Sequence, residues 1–478
     1  MTYETKMATG KSVRLKFLVS LAIFAASLPF TLLRATEYVG HVSLALVWLT
    51  SLSMVDKRQF FARFYYMLFG VFFVLPQAIS NDIEFLSVGQ FFQNINLTPV
   101  DVVKMQVAIF IFLATFAGVI LLTKNKQPTL AGPTVTKINN ISSFYPILLI
   151  SFAIIISFNV AEALAVYSQG YQLYFSGGLG VQKSIPVLMV EYTFIVLAIF
   201  GITSRKFLPT VLLAIYAASL VLSGQRMPGA MLVILIAATA YPSGLLRRRF
   251  FLICALGFGV APPLFMIVQT LRAVGFDGLE TVDLLYFFTD FWAVIGHSLD
   301  TLKAAIISDQ TTVESVNLFA RLNLTLNVVF SRVLGIDLGL STNGFGVAFS
   351  QYFAPDLFFD RSVTFASSGI AESYYSLGML GVVLYGAAAA WISFFFQRKM
   401  DRLHPFGLLI LFVFGPRFLV GVRNELFGWV FEGVIYFLSM YPVYLLLKII
   451  FLKRTALESS QDHSVITNKT AEGLAESK

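Results

Sequence analysis

Apolar positions along this chain gather into continuous runs broken by short polar or basic stretches. A bilayer core about 30 Å thick takes roughly 20 apolar residues per helical span, and about twelve runs reach that length. They begin near Leu15, Glu37, Phe60, Val103, Phe144, Ile185, Phe207, Gly229, Phe251, Glu372, Pro405 and Phe427, and the run after Gly229 is the shortest. Each run predicts a membrane-crossing helix, so the pattern is that of an all-α polytopic integral membrane protein. The first run follows a basic "KSVRLK", as a secretory leader would. It is long enough to span and eleven more follow it, so it reads as a retained first span.

Composition agrees with the pattern. Of 478 residues 57% are hydrophobic and only 13% charged, and mean hydropathy is +0.78, whereas a soluble domain is about a quarter charged. The 34 Lys and Arg then set the orientation, because short cytoplasmic loops collect them. With the N-terminus inside, the inner loops hold fourteen of them: Lys57, Arg58, Arg63, Lys124, Lys126, Lys137, Arg205, Lys206, Arg247, Arg248, Arg249, Arg398, Lys399 and Arg402. Short outer loops are nearly bare, which predicts both termini in the cytoplasm. The net charge of +8 fits this topology and contact with anionic lipid, not nucleic-acid binding. The single cysteine, Cys254, permits no intrachain disulfide. The four histidines show no spacing that resembles a zinc site, and of these only His41 and His297 fall outside the cytoplasm.

Laid out on that topology, residues 1–14 form a cytoplasmic tail, 15–271 carry spans one to nine, and 272–371 form one long periplasmic loop. Residues 372–450 carry the last three spans, and the polar tail 451–478 is expected to be disordered. A loop of that length is usually functional. The stretches "VDLLYFFTDFWAVIGHSLDTLKAAII" and "VESVNLFARLNLTLNVVF" are too apolar for disorder and predict helices on or dipping into the outer membrane surface. The following "GLSTNGFGVAFSQYFAPDLFFDRSVTFASSG" is dense in Gly, Ser and aromatics, which predicts an irregular lid. Its Tyr352, Phe353, Phe358 and Phe359 suit stacking on sugar rings, or equally anchoring at the interface. "YFSGGLGVQKS" is no phosphate loop, since Gln182 stands where Gly must precede the lysine. No repeat relates the first six spans to the last six, which weighs against a secondary transporter.

Charged groups at membrane depth are functional candidates. Arg417 in "LFVFGPRFLVG" lies about 18 Å along its span from Pro405, just after a Gly-Pro pair suited to kinking the helix. Arg423 follows near the end of the span. Arg226 sits in a tight turn, "LSGQRMPG"; Arg272 opens the long loop, and Arg361 lies within it. A guanidinium forks onto phosphate oxygens, so arginines converging at the outer leaflet suit a lipid pyrophosphate; snorkelling to headgroups is the plain alternative. Glu372 opens the tenth run at its outer end. A carboxylate there is either a helix-dipole partner worth about 0.3 to 1 kcal/mol or a general base or arginine partner. Glu162, Glu191 and Glu432 lie in or beside spans, with pairing to arginines their simplest role. His297 is the long loop's one imidazole.

Two short motifs carry a resemblance. "SGQR", Ser223 to Arg226, and the pattern S-x-x-x-E-x-Y-x-x-x-G-x-x-G at Ser368, Glu372, Tyr374, Gly378 and Gly381 resemble Wzy-type O-antigen polymerases. The shared architecture covers most of the chain, and the glycines suit close approach of helices. The resemblance implies a bacterial inner-membrane glycosyltransferase joining undecaprenyl-pyrophosphate-linked repeat units at the periplasmic face, with no cofactor. It carries over Arg226 and Glu372 as site residues; Arg417, Arg423, Arg272, Arg361 and His297 rest on the physical argument. The implied partners are the lipid-linked oligosaccharide and membrane lipids, with a chain-length regulator and a flippase as protein neighbours. A flippase or other polysaccharide transporter and an O-antigen ligase are the competing functions. A transporter would spread its charges along a central cavity instead of gathering them at one face.

Overall fold

The computed structural model describes residues 17–29, 37–55, 59–79, 97–123, 141–169, 184–222, 299–308, 345–353, 368–402, 404–422 and 433–451, with a few single positions between them. Among these residues the regular structure is helical and there is no strand. In chain order the helices are α1 (Phe17–Pro29), α2 (Glu37–Met54), α3 (Phe60–Phe73), α4 (Leu75–Ile79), α5 (Pro99–Thr123) and α6 (Tyr145–Gln169). Next come α7 (Ile185–Thr203), α8 (Phe207–Leu222), α9 (residues 299–307) and α10 (Phe345–Phe353). The last are α11 (Gly369–Arg402), α12 (Pro405–Val420) and α13 (Gly433–Phe451). Six stretches are long and apolar enough to cross a membrane, on α3 with α4, α5, α6, α7, α11 and α13, and α1, α2, α8 and α12 are shorter apolar helices. The runs near Gly229 and Phe251 lie outside the described residues.

Side-chain contacts fix the direction of each helix. Tyr65 of α3 stacks beside Phe116 of α5 at 5.8 Å and Phe69 beside Phe112 at 3.7 Å, so these helices are antiparallel. Phe61 N–H donates to Gln397 Oε1 at 3.1 Å while Tyr65 meets Tyr385, so α3 and α11 are antiparallel too. Hence α5 and α11 run parallel, closely packed where Gly386 faces the Phe112 carbonyl; a Cβ there would stand 3.1 Å from that oxygen. Helix α7 runs against α6 and α8, through Phe152 with Phe194 and Glu191 with Tyr216, and α13 runs against α12 through Phe406 with Tyr444 and Phe414 with Phe437. All of these helices share one hydrophobic core, filled by rings such as Phe61, Tyr66, Phe112, Phe116 and Phe194.

The bundle therefore has two ends. One carries Pro99, Ile185, Val420 and the start of α2; the other carries Gln59, Tyr145, Thr203 and Pro405. His404 caps α12 at the second end, its Nδ1 accepting from Phe406 N–H at 3.3 Å. Burial, together with Lys448 and Lys399, lowers its pKa from the ordinary histidine value, which favours the neutral, accepting ring.

One expectation for the segment 272–371 is corrected. Residues 345–353, expected in an irregular lid, form α10, because Phe345, Ala348 and Phe349 fall on one helical face and are buried at 1%, 4% and 0% exposure. That face packs on α11, with Phe345 and Phe349 edge-on to Tyr375 at 5.7 and 5.4 Å. Residues 299–307, in the other apolar stretch, are helical as expected, with Asp300, Leu302 and Ala304 almost wholly covered.

Candidate functional site

Helix α11 is broken. Gly378 has φ 60° and ψ −143°, a region that only glycine adopts without strain. A continuous helix would put Gly369 about 24 Å from Tyr385. Instead, a Cβ on Gly369 would lie 2.5 Å from Tyr385 Oη, and one on Gly381 would collide with the Ser373 carbonyl. Residues 369–377 are thus a short arm folded back against residues 379–402, with Gly378 as the turn and Gly381 as the point of contact. Both motif glycines acquire a physical reason, and close approach occurs within one helical hairpin.

Ser368 starts the arm. Its Oγ accepts from Ala371 N–H at 3.3 Å and its carbonyl from Glu372 N–H at 3.0 Å, the cap that an N-terminal serine provides. Glu372 lies in the first turn and is 2% exposed. Because the arm folds back, its charge reaches Tyr385, thirteen positions along the chain. Tyr385 Oη and Tyr65 Oη share a hydrogen bond of 2.8 Å, and the Tyr65 ring stacks on Phe418 at 4.4 Å. Tyr374, also on the arm, feels Asp101 and Lys104 from the first turns of α5.

Phe418 leads to the next residue back, Arg417, which is 7% exposed. Its Nη1 donates to Val413 O at 2.6 Å and its Cζ lies 4.1 Å over the Tyr436 ring. The proline at 416 removes a helical N–H, but α12 continues through it to Val420. Arg417 belongs to a polar group between α7, α8, α12 and α13. Tyr192 hydrogen-bonds Ser439 and feels Tyr436, Glu191 and Arg417, while Tyr216 donates its hydroxyl to Glu191 Oε1. Glu191, expected to pair with an arginine, shares its surroundings with Arg417 and accepts a tyrosine hydroxyl.

Of the charged residues singled out by sequence, Glu372, Arg417, Glu162 and Glu191 are described; Arg226, Arg272, His297, Arg361, Arg423 and Glu432 lie outside the described residues. The tyrosines were missed. Tyr65, Tyr385, Tyr192 and Tyr436 sit inside apolar runs, where a phenol reads as one more hydrophobic residue. The available signal was a hydroxyl-bearing ring at membrane depth, which requires a partner.

An all-helical bundle with six helices long and apolar enough to cross a bilayer defines a polytopic membrane protein. The family model for O-antigen polysaccharide polymerase Wzy matches residues 13–455, nearly the whole chain, and the protein belongs to that family. No curated protein and no solved structure matches it. It is thus a multi-pass membrane protein of polysaccharide biosynthesis.

Proposed function

We propose that the protein joins undecaprenyl-pyrophosphate-linked repeat units into O-antigen at the periplasmic face of the inner membrane, with both termini in the cytoplasm. Family membership favours polymer formation over flipping or ligation. The orientation draws support from the charges: among the described residues Arg63, Arg205, Lys206, Arg398, Lys399, Arg402 and Lys448 lie at the Pro405 end, against Lys104, Lys303 and Arg417 towards the other.

The observation that carries the chemistry is a carboxylate held almost without exposure on a folded-back arm. Transfer breaks the bond between the donor's anomeric carbon and a phosphate oxygen and forms a bond to the acceptor oxygen. The pyrophosphate leaves with the electron pair, and the acceptor's proton goes to a base. Arg417 stabilises the departing charge, with Arg226, Arg272, Arg361 and Arg423 as further phosphate-side groups. Glu372 takes the proton, with His297 as the other candidate base. The donor arrives activated, so no nucleotide is required.

Glu372→Gln tests this, because glutamine keeps the size and loses the charge. Polymer per unit of inserted protein is expected to fall roughly 100-fold, measured beside Glu372→Asp and His297→Ala. Near-normal polymer from the glutamine variant would return Glu372 to a helix-dipole role, and a loss confined to His297→Ala would move the base into the long segment.

A further inference from the structure

A second buried polar group lies at the Pro99 end of the bundle and has no part in the chemistry above. His41, on the second turn of α2, is 6% exposed, Gln77 of α4 is 2% and Gln106 of α5 is 0%. Lys303, on α9 and bonded to Asp300 at 3.4 Å, is close enough for its charge to act on the His41 ring. The cluster therefore joins α2, α4 and α5, with the charge of α9 near it.

The hydrogen bonds decide the tautomer. Gln77 Nε2 donates to Phe73 O at 2.7 Å, and only an amide nitrogen can do so; its Oε1 therefore faces His41 Nδ1, at 2.8 Å. That oxygen can only accept, so Nδ1 carries the proton. Gln106 Nε2 stands 3.2 Å from the same Nδ1, and a protonated Nδ1 cannot accept from it. Turning the Gln106 amide places an oxygen there instead. In the neutral ring Nε2 then holds a lone pair, and among the described residues it has no hydrogen-bond partner. Two glutamines thus hold an imidazole so that one nitrogen can only accept.

We propose that His41 Nε2 is a saccharide-binding acceptor, taking a hydrogen bond from a sugar hydroxyl of the lipid-linked substrate where that sugar passes between α2 and α9. A neutral nitrogen flanked by amides matches a hydroxyl better than a phosphate, which would need a donor. The site rests on the polymerase reading, but not on Glu372 or Arg417.

The test uses full-length protein in bilayers and an undecaprenyl-pyrophosphate-linked repeat unit, with initial polymer rate measured against substrate concentration. His41→Ala is expected to raise KM about tenfold with kcat changed much less. His41→Gln, whose amide oxygen reaches about as far as Nε2, is expected to recover most of the loss. Gln77→Met, which frees the tautomer, is expected to give an intermediate KM. An unchanged KM in His41→Ala would overturn the proposal, as would a fall in kcat alone, which would make His41 part of the reacting centre. Failure of all three variants to insert would reduce the cluster to a structural plug and overturn it as well. No polymer from the unsubstituted protein would remove the polymerase reading on which the site depends.

Discussion

Arg417 shows how a permanent charge is held among apolar helices: one nitrogen on a carbonyl of its own helix and the plane of the guanidinium over a tyrosine. Both contacts use the flat fork. Lysine would keep the charge and lose the plane and the second nitrogen, so Arg417→Lys is expected to lower polymer per inserted protein roughly 100-fold. Wild-type turnover from the lysine variant would remove the forked contact from the mechanism. The position of Arg417 was legible from sequence because a charge inside a run is conspicuous. Tyr436 was not, because the pairing joins two spans and leaves no periodic trace in either.

Among the elements, α11 departs furthest from its sequence. The motif residues Ser368, Glu372, Gly378 and Gly381 were visible, and glycine was rightly associated with close approach. The fold-back was hidden because residues 373–396 contain neither proline nor a charge, so hydropathy alone reads one long span. Backbone conformation at Gly378 decides the matter, and glycine's freedom does not specify its direction. The hairpin can be tested by exchange across it. Gly369→Ala drives a methyl into the Tyr385 ring, 2.5 Å from Oη, 2.6 Å from Cζ and 2.9 Å from Cε2, and is expected to depress polymer formation strongly, whereas Gly369→Ala with Tyr385→Leu removes those atoms and is expected to regain part of the activity. Equal loss in single and double variants, at equal insertion, would show that the arm does not rest on that ring. Helix α10 was missed for a related reason: the Gly and Ser around it outweighed the four-residue spacing of Phe345 and Phe349.

At the scale of the molecule, most described spans were legible because burial in lipid demands long apolar runs, and charge bias gives them a direction. Reporter fusions after Arg249 and after Arg402 are expected to read cytoplasm, and one near Asn343 periplasm; a cytoplasmic signal at Asn343 would sink the site assignment. What hydropathy could not supply was how the runs associate, since lipid tails and neighbouring helices are equally apolar. The broken α11 has a consequence for biogenesis. Residues 379–402 measure about 36 Å as a helix and can cross the bilayer unaided. The arm of 369–377, about 13 Å long, adds nothing that the insertion machinery must recognise. Its carboxylate therefore lies outside the stretch that crossing requires, and it is held by packing, with Ser368 capping the arm and Tyr385 beside it. Crossing the membrane and closing the site thus rest on different interactions, and solubilisation that loosens helix packing is expected to silence polymer formation while leaving the long helices intact.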